Sequence, residues 1–546
     1  MIAAATWLSA VSLTQQPGAA AARVSEPPTP IPAGHADALF LTSHDCLACH
    51  NGLTTPTGED VSIGVSWRAS IMANSSRDPY WQAAVRRETI DHPSAAHEIE
   101  DECSICHMPM SRTRARAAGQ PGKIFAHLPI GAGRSEDDRL AADGVSCTIC
   151  HQIGPERLGA RESFTGGFVI SSPTSAGERR MFGPFAIDAG RTSLMRSATG
   201  MTPTAASHIR DSELCATCHT LYTQALGPQG EVIGELPEQV PYLEWRHSAF
   251  REERSCQSCH MPAVAAPTRM SSVLGEEREG LGRHTFLGGN FFMLRMLNRH
   301  RSELGVQALP QELDAAAHAT IAQLQQDTAT VSLVRAGTSG GRIEVEVGVR
   351  NLTGHKLPTG YPSRRAWLHL TVRNRENQLV FSSGEITPSG LIRGNDNDAD
   401  AARVEPHYTE IRSRDQVQIY ESVMRDIDGN ITTGLLQATG YAKDNRLLPR
   451  GFDKATAVPD IAVIGAARED ADFSDEGDRV RYIVDTAGRA GPFRIDVELR
   501  YQPIAFRWAQ NLRAYDAEET RRFVTWFDAM STGSSVVLAR NSASVP

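Results

Sequence analysis

The sequence predicts an α+β multidomain fold, with a helical and irregular domain at residues 34–300 and an all-β, sandwich-like domain at residues 329–546. Three observations predict it. All ten cysteines of the 546-residue chain fall in one five-residue pattern, repeated five times between Cys46 and His260. Fourteen of the 18 histidines lie before residue 301. Beyond residue 329, apolar residues alternate with the period of two that half-buried strands require. Composition sets the outer bounds. Hydrophobic content of 40% and charged content of 22% describe a globular chain and exclude wholesale disorder. A net charge of -9 argues against a nucleic-acid partner, which would call for a basic stripe. No apolar run reaches the ~18 residues of a transmembrane helix.

Residues 1–33 read as a leader followed by a linker. Ile2–Leu13 is a short apolar stretch, Ala19–Ala22 offers small residues for cleavage, and Ser25–Pro32 is rich in proline. No Lys or Arg precedes the apolar stretch, which departs from a normal export signal.

The repeated pattern comes next. It reads Cys46-Leu-Ala-Cys49-His50, Cys103-Ser-Ile-Cys106-His107, Cys147-Thr-Ile-Cys150-His151, Cys215-Ala-Thr-Cys218-His219 and Cys256-Gln-Ser-Cys259-His260. Two thiols at this spacing can each add to one vinyl group of a porphyrin, and the next residue then lies beneath the iron as an imidazole ligand. Zinc sites, redox dithiols and disulfides also use paired cysteines, but none needs histidine directly after the second. Five such placements by chance have a probability of about 4 × 10⁻⁸ at this histidine content, taking the motif as c-type haem attachment. The expected cofactors are five covalently bound haems. The motifs resemble those of c-type cytochromes, and that resemblance implies an exported protein, periplasmic or extracellular.

The span from Cys46 to His260 is 215 residues, 43 for each motif. So little chain cannot wrap a separate apolar core around each macrocycle, so the haems must pack on one another. Short helices and loops are expected between motifs, with candidates at Tyr80–Ile90, ended by Pro93, and at Glu213–Thr220. Residues 301–328 read as a connector, with helical periodicity over Leu309–Gln325 and a proline at its start. Strands are expected at Thr330–Arg335, Arg342–Arg350, Trp367–Val372, Gln378–Phe381, Gln416–Tyr420 and Phe493–Tyr501, with a small helix at Ala517–Ala529. Asp426-Ile-Asp428-Gly-Asn430 matches part of a calcium loop, although an Asp-Gly turn explains it more simply.

A low-spin haem needs a second axial ligand, usually His or Met. His208 leads straight into the fourth motif. His284 precedes a Gly-Gly pair that lets backbone approach a flat cofactor. His127 lies midway between the second and third motifs. His92 precedes Pro93, with His97 as its competitor. His355 sits in the Gly/Pro-rich loop Thr353–Gly360, from which it can reach back and cap a haem.

Trp67-Arg-Ala-Ser-Ile-Met72, the Cys-His-Met-Pro runs at His107 and His260, and the His284 and His355 loops together resemble a known family. They are similar to the multihaem cytochromes c grouped with hydroxylamine oxidoreductase and its tetrahaem electron acceptor. In that family a Trp-x-x-Ser-x-His element supplies a distal histidine, and Met72 occupies its place here. The resemblance thus implies Met72 as a thioether ligand; apolar packing explains it equally well. Trp245-Arg-His247-Ser-Ala-Phe250 repeats the element with Phe at the ligand place. Met72, His92, His127, His208, His284 and His355 make six candidates for at most five positions, so at least one must fail. The 51 arginines against four lysines fit haem propionates as partners for a few, such as Arg68 or Arg283.

Functionally, the leading expectation is an electron carrier working with other redox proteins, its β domain serving as a cap or assembly surface. The alternative is an oxidoreductase acting on nitrite, hydroxylamine or a related nitrogen compound at a five-coordinate haem. No Cys-x-x-Cys-Lys variant, which pentahaem nitrite reductases carry at their catalytic haem, occurs in the chain.

Overall fold

A computed structural model describes residues 38–171 and 178–546. The expected leader and linker, residues 1–33, lie outside the described residues.

The first half is built from short helices, and four of the five motifs end or form one. Ala96–His107, Cys147–Cys150, Ser212–His219 and Cys256–His260 are helical, while Ser43–Leu47 carries the first cysteine. The local reason is geometric: residues i and i+3 share a helix face, so one turn presents both thiols to the same side. Pro79–Asp91 is the longest helix before the motif-bearing Ala96–His107. Pro79 pre-sets its first turn, and Asp78 caps it by accepting from the Tyr80 and Trp81 amides at 2.8 and 3.1 Å. Pro93 follows its end. Three strand pairs interrupt the expected helices and loops, the smallest being Thr268–Arg269 with Glu277–Arg278. Arg179–Gly183 runs parallel to Met201–Ala205, and Leu221–Leu226 pairs antiparallel with Val232–Gln239 across a turn containing Gly230 at φ 85°.

The connector is the Pro310–Asp327 helix, which packs against Phe291–Arg299. From residue 329 the chain forms two sheets. In one, strands run in the order Ile431–Thr432, Ile419–Arg425, Arg365–Arg373, Phe493–Gln502, Val536–Val545, with Leu379–Ser383 and Gly440–Asp444 as additional partners. The other runs Glu410–Ile411, Asp478–Asp485, Arg342–Asn351, Ala329–Ser339. Alternation explains the strongest strands: Val345 and Val347 of one sheet, and Ile495, Val497 and Leu499 of the other, are all fully buried. Asp478–Asp485 and Val536–Val545 were not expected. The second carries the polar run Ala539–Ser544, and its place is set by backbone pairing to Phe493–Gln502 rather than by an apolar pattern.

No apolar gap separates the two halves. Phe291, Phe292, Leu236 and Tyr242 belong to the same buried cluster as the sheet residues. The helix Glu518–Met530, expected as a β-domain element, lies on Pro79–Asp91, with Arg86 paired to Glu519 at 2.9 Å and Tyr80 edge-on to Phe523 at 5.1 Å. No helix among the described residues is long and apolar enough to cross a membrane.

Candidate functional site

All five motifs open onto one continuous cavity of ≈ 2650 Å³. A void of that size lined by apolar groups is foreign to a close-packed protein interior. The donor set on its wall, ten thiols and the five imidazoles that follow them in sequence, together with His44, His284 and His355, fits c-type haem held by paired thioethers.

Contacts between motifs give their spatial order. The thiols of Cys46 and Cys147, of Cys106 and Cys218, and of Cys215 and Cys256 lie near enough to influence one another. Cys150 lies within electrostatic reach of Cys218. The first motif therefore neighbours the third, the third neighbours the fourth, and the second and fifth both adjoin the fourth.

The imidazoles are prepared as ligands through one ring nitrogen. His50 Nδ1 donates to the Met270 carbonyl at 2.6 Å, His107 to Ser75 at 3.1 Å, His151 to Phe182 at 2.6 Å, and His260 to Leu287. Two further histidines share this arrangement: His284 Nδ1 donates to Gly282 at 3.0 Å and His355 Nδ1 to Lys356 at 2.9 Å. A carbonyl only accepts, so each ring carries its proton on Nδ1 and keeps the Nε2 lone pair for a metal. Burial reinforces this by favouring the neutral ring: it pushes His107, His219 and His284 down to about 4.

Two pairs then face one another. His151 and His284 have ring centroids 6.3 Å apart at 19°, and His260 and His355 have centroids 6.3 Å apart at 16°. Two imidazoles bound to one metal at about 2.0–2.1 Å have centroids about 6.3 Å apart. Each pair is spaced to take one iron between its rings. His107 instead stacks on Trp81 at 4.2 Å and 3°.

The remaining candidates divide by position. Met72 lines the cavity, as does His44, which sequence reasoning did not single out. His92, His127 and His208 are not on its wall. His127 has both nitrogens engaged, Nδ1 by Asp138 at 2.8 Å and Nε2 by Ser111 at 3.4 Å. His208 spends Nε2 on the Ile153 carbonyl at 2.9 Å. His92 is buried at the end of Pro79–Asp91, its Nε2 without a partner. Arg68 and Arg283 are already paired, with Glu312 and with Glu59 at 2.7 Å. Arg210, Arg254 and Arg364 line the cavity.

The calcium reading finds no support. Asp426 Oδ1 accepts from the Asp428 and Asn430 amides at 3.0 and 2.8 Å, and Oδ2 accepts from Asn430 Nδ2 at 3.1 Å, so the carboxylate closes its own turn. His407, Asp470 and Asp478 form another buried group of ligand-type side chains. There, His407 Nδ1 accepts from the Gln418 and Asn445 amides at 2.8 and 3.1 Å, which places the ring proton on Nε2, directed at Asp470 3.0 Å away. The amides cannot reverse, because their oxygens accept from the Tyr408 and Glu421 backbone N–H groups. This group is a proton-bridged latch between loops.

No family model matches the chain, and no curated protein matches it. Among solved structures it is similar to a penta-heme cytochrome c552 from Thermochromatium tepidum. The TM-score is 0.53 and the identity 17%, over 93% of this chain and 99% of that one. The likeness is one of fold, and it spans both halves.

Proposed function

We propose that the chain is an exported pentahaem c-type cytochrome that passes electrons between redox partners through closely packed haems. The observation that carries this reading is the convergence of all five Cys-x-x-Cys-His motifs on one cavity, with His284 and His355 set opposite two of them. The name of the similar structure, a penta-heme cytochrome, agrees with it.

Haem c, when attached, supplies the one-electron chemistry. The chain's residues do the rest. Cys46 and Cys49, and their four counterpart pairs, fasten the macrocycles. His50, His107, His151, His219 and His260 would hold the irons, and His284 and His355 would join them at the third and fifth motifs. Met72 and His44 stand on the wall as further donors. Carbonyls at Met270, Ser75, Phe182, Leu287, Gly282 and Lys356 hold the rings in orientation and raise their basicity. Arg210, Arg254 and Arg364 offer planar cations to propionates. The fourth motif, adjoining the second, third and fifth, is the junction through which electrons pass.

A second reading is an oxidoreductase for a small nitrogen compound at a haem lacking a sixth protein ligand. The observation favouring it is that, among the described residues, a second imidazole ring pairs with His151 and His260 but with none of His50, His107 and His219. Intact-mass measurement on protein matured in a host that attaches haem tests the main reading: five haem additions and no free thiol are expected, and unmodified thiols overturn it. A high-spin absorption component shifted by cyanide or nitrite would favour the enzyme.

A further inference from the structure

Beside the second motif, the cavity wall carries polar groups for which haem attachment has no use. Glu88, Glu238, Tyr80 and Tyr361 all line it. Glu88, from the Pro79–Asp91 helix, is 4% exposed, and Glu238, from the Val232–Gln239 strand, is 5% exposed. Glu238 Oε2 accepts from Thr223 Oγ1 at 2.6 Å, and Glu88 Oε1 accepts from the Leu435 amide at 2.8 Å. Neither forms a salt bridge among the described residues. The two carboxyls are within electrostatic reach of each other, and Glu238 is also within reach of Cys103 and Cys106.

Two carboxylates buried together without a cation between them are costly to keep charged. Burial pushes Glu238 up to about 7, against the single hydroxyl that favours its charged form. Burial also pushes Glu88 up, while Arg87 and the Leu435 amide pull it down.

We propose, resting on the reading of the Cys103–His107 motif as a haem site, that Glu238, with Glu88 beside it, binds a proton in step with reduction of that haem. The iron gains one electron from a one-electron donor protein, and the carboxylate takes one proton from solvent; both leave on oxidation. The physical reason is charge. An added electron in a low-dielectric site raises the energy of a neighbouring anion, and the proton restores the charge balance. Linkage is reciprocal, so the protonated carboxyl makes the iron easier to reduce.

The surroundings leave this role to Glu238. Facing it are Thr223 from the paired strand, Glu88 from the Pro79–Asp91 helix, and Cys103 and Cys106 from Ala96–His107. Tyr361 comes from the loop after residue 352, and Tyr441 donates its hydroxyl to the Pro237 carbonyl at 2.8 Å. None is a lysine or arginine. Arg87, next to Glu88, is directed to Asp91, Tyr515 and Thr433. Asp78 and Glu102 also line the wall and burial pushes both up, Asp78 to about 6 against the two amides it caps and Glu102 against Arg112, so variants at Glu238 separate them from Glu238.

The test is potentiometric titration of the haem-loaded protein from pH 5 to 9, followed by haem absorbance. Haem content is counted first, so that failed attachment sinks the cytochrome reading and not this one. In the loaded protein, one component is expected to fall by up to about 59 mV for each tenfold drop in proton concentration. Glu238→Gln should flatten that component with haem content unchanged, and Glu238→Asp, which keeps a titratable group, should retain the slope. Glu88→Gln should shift the pH window downward by removing a neighbouring negative charge. A pH-dependent component identical in wild type and Glu238→Gln overturns the proposal, because the proton then belongs to propionates or another group. Potentials that do not change with pH in the wild type overturn it equally.

Discussion

An imidazole serves an iron when Nε2 is free and the ring cannot turn away, and at six histidines this chain arranges both with one backbone carbonyl on Nδ1. The same criterion separates His284 and His355 from His127 and His208, whose Nε2 atoms are already engaged. Two outcomes are expected at this scale. Replacing His355 with Ala opens one coordination position, so a high-spin component additional to any in the wild type should appear in the EPR spectrum and respond to cyanide. Replacing His284 with Met exchanges imidazole for thioether, so one component should move to higher potential with haem content preserved, as read by spectroelectrochemistry.

Among the elements, the Thr353–Gly360 loop has the most demanding position, since it must carry His355 from the sheet half to the fifth motif. Buried charges hold it there. Lys356 Nζ bonds Asp444 at 2.8 Å, Arg446 bonds Asp444 at 2.7 Å and Glu244 at 2.8 Å, and Glu244 also accepts from the Lys356 amide at 3.1 Å. Glu244 belongs to Pro241–Arg246 in the first half, so the network ties the halves together behind His355. Burial pushes Asp444 up, but Arg446 and Lys356 overcome it and hold the carboxyl at about 2. A depressed carboxyl contributes stability that is complete above its unfolded value of about 4. That stability is lost as pH falls toward 2. Asp444→Asn leaves two buried cations short of a partner and should cost about 3–5 kcal/mol in denaturant unfolding at pH 7. The deficit should shrink below pH 4.

At the scale of the whole molecule, a continuous cavity runs through the first half and the sheet core is continuous with Phe291–Arg299. On the proposed reading, haem supplies the packing partners of these apolar walls. Chain made without haem attachment should therefore lack cooperative thermal unfolding and bind ANS, whereas loaded protein should unfold in one transition.

The candidate haem-attachment motifs were legible in the sequence because they are local chemistry: two thiols and an imidazole within five residues define a candidate site wherever the chain later goes. Strong strands such as Arg342–Asn351 were legible for the same kind of reason, since their alternation is written in consecutive residues. The polar strand Val536–Val545 was not, because its partner decides it. Second ligands were legible only as six candidates. Their selection depends on which distant segments fold onto a motif: His284 reaches His151 and His355 reaches His260 across long stretches of chain, while the carbonyls that orient the facing rings, Phe182 for His151 and Leu287 for His260, come from other segments. The buried carboxyls Glu88 and Glu238 left no sequence signal, since a glutamate in a helix or strand reads as surface until the fold closes over it. Local spacing of thiols and imidazoles thus determined the five motifs and the cofactor proposed for them; desolvation and long-range packing, which exist only in three dimensions, decided which side chains meet around them.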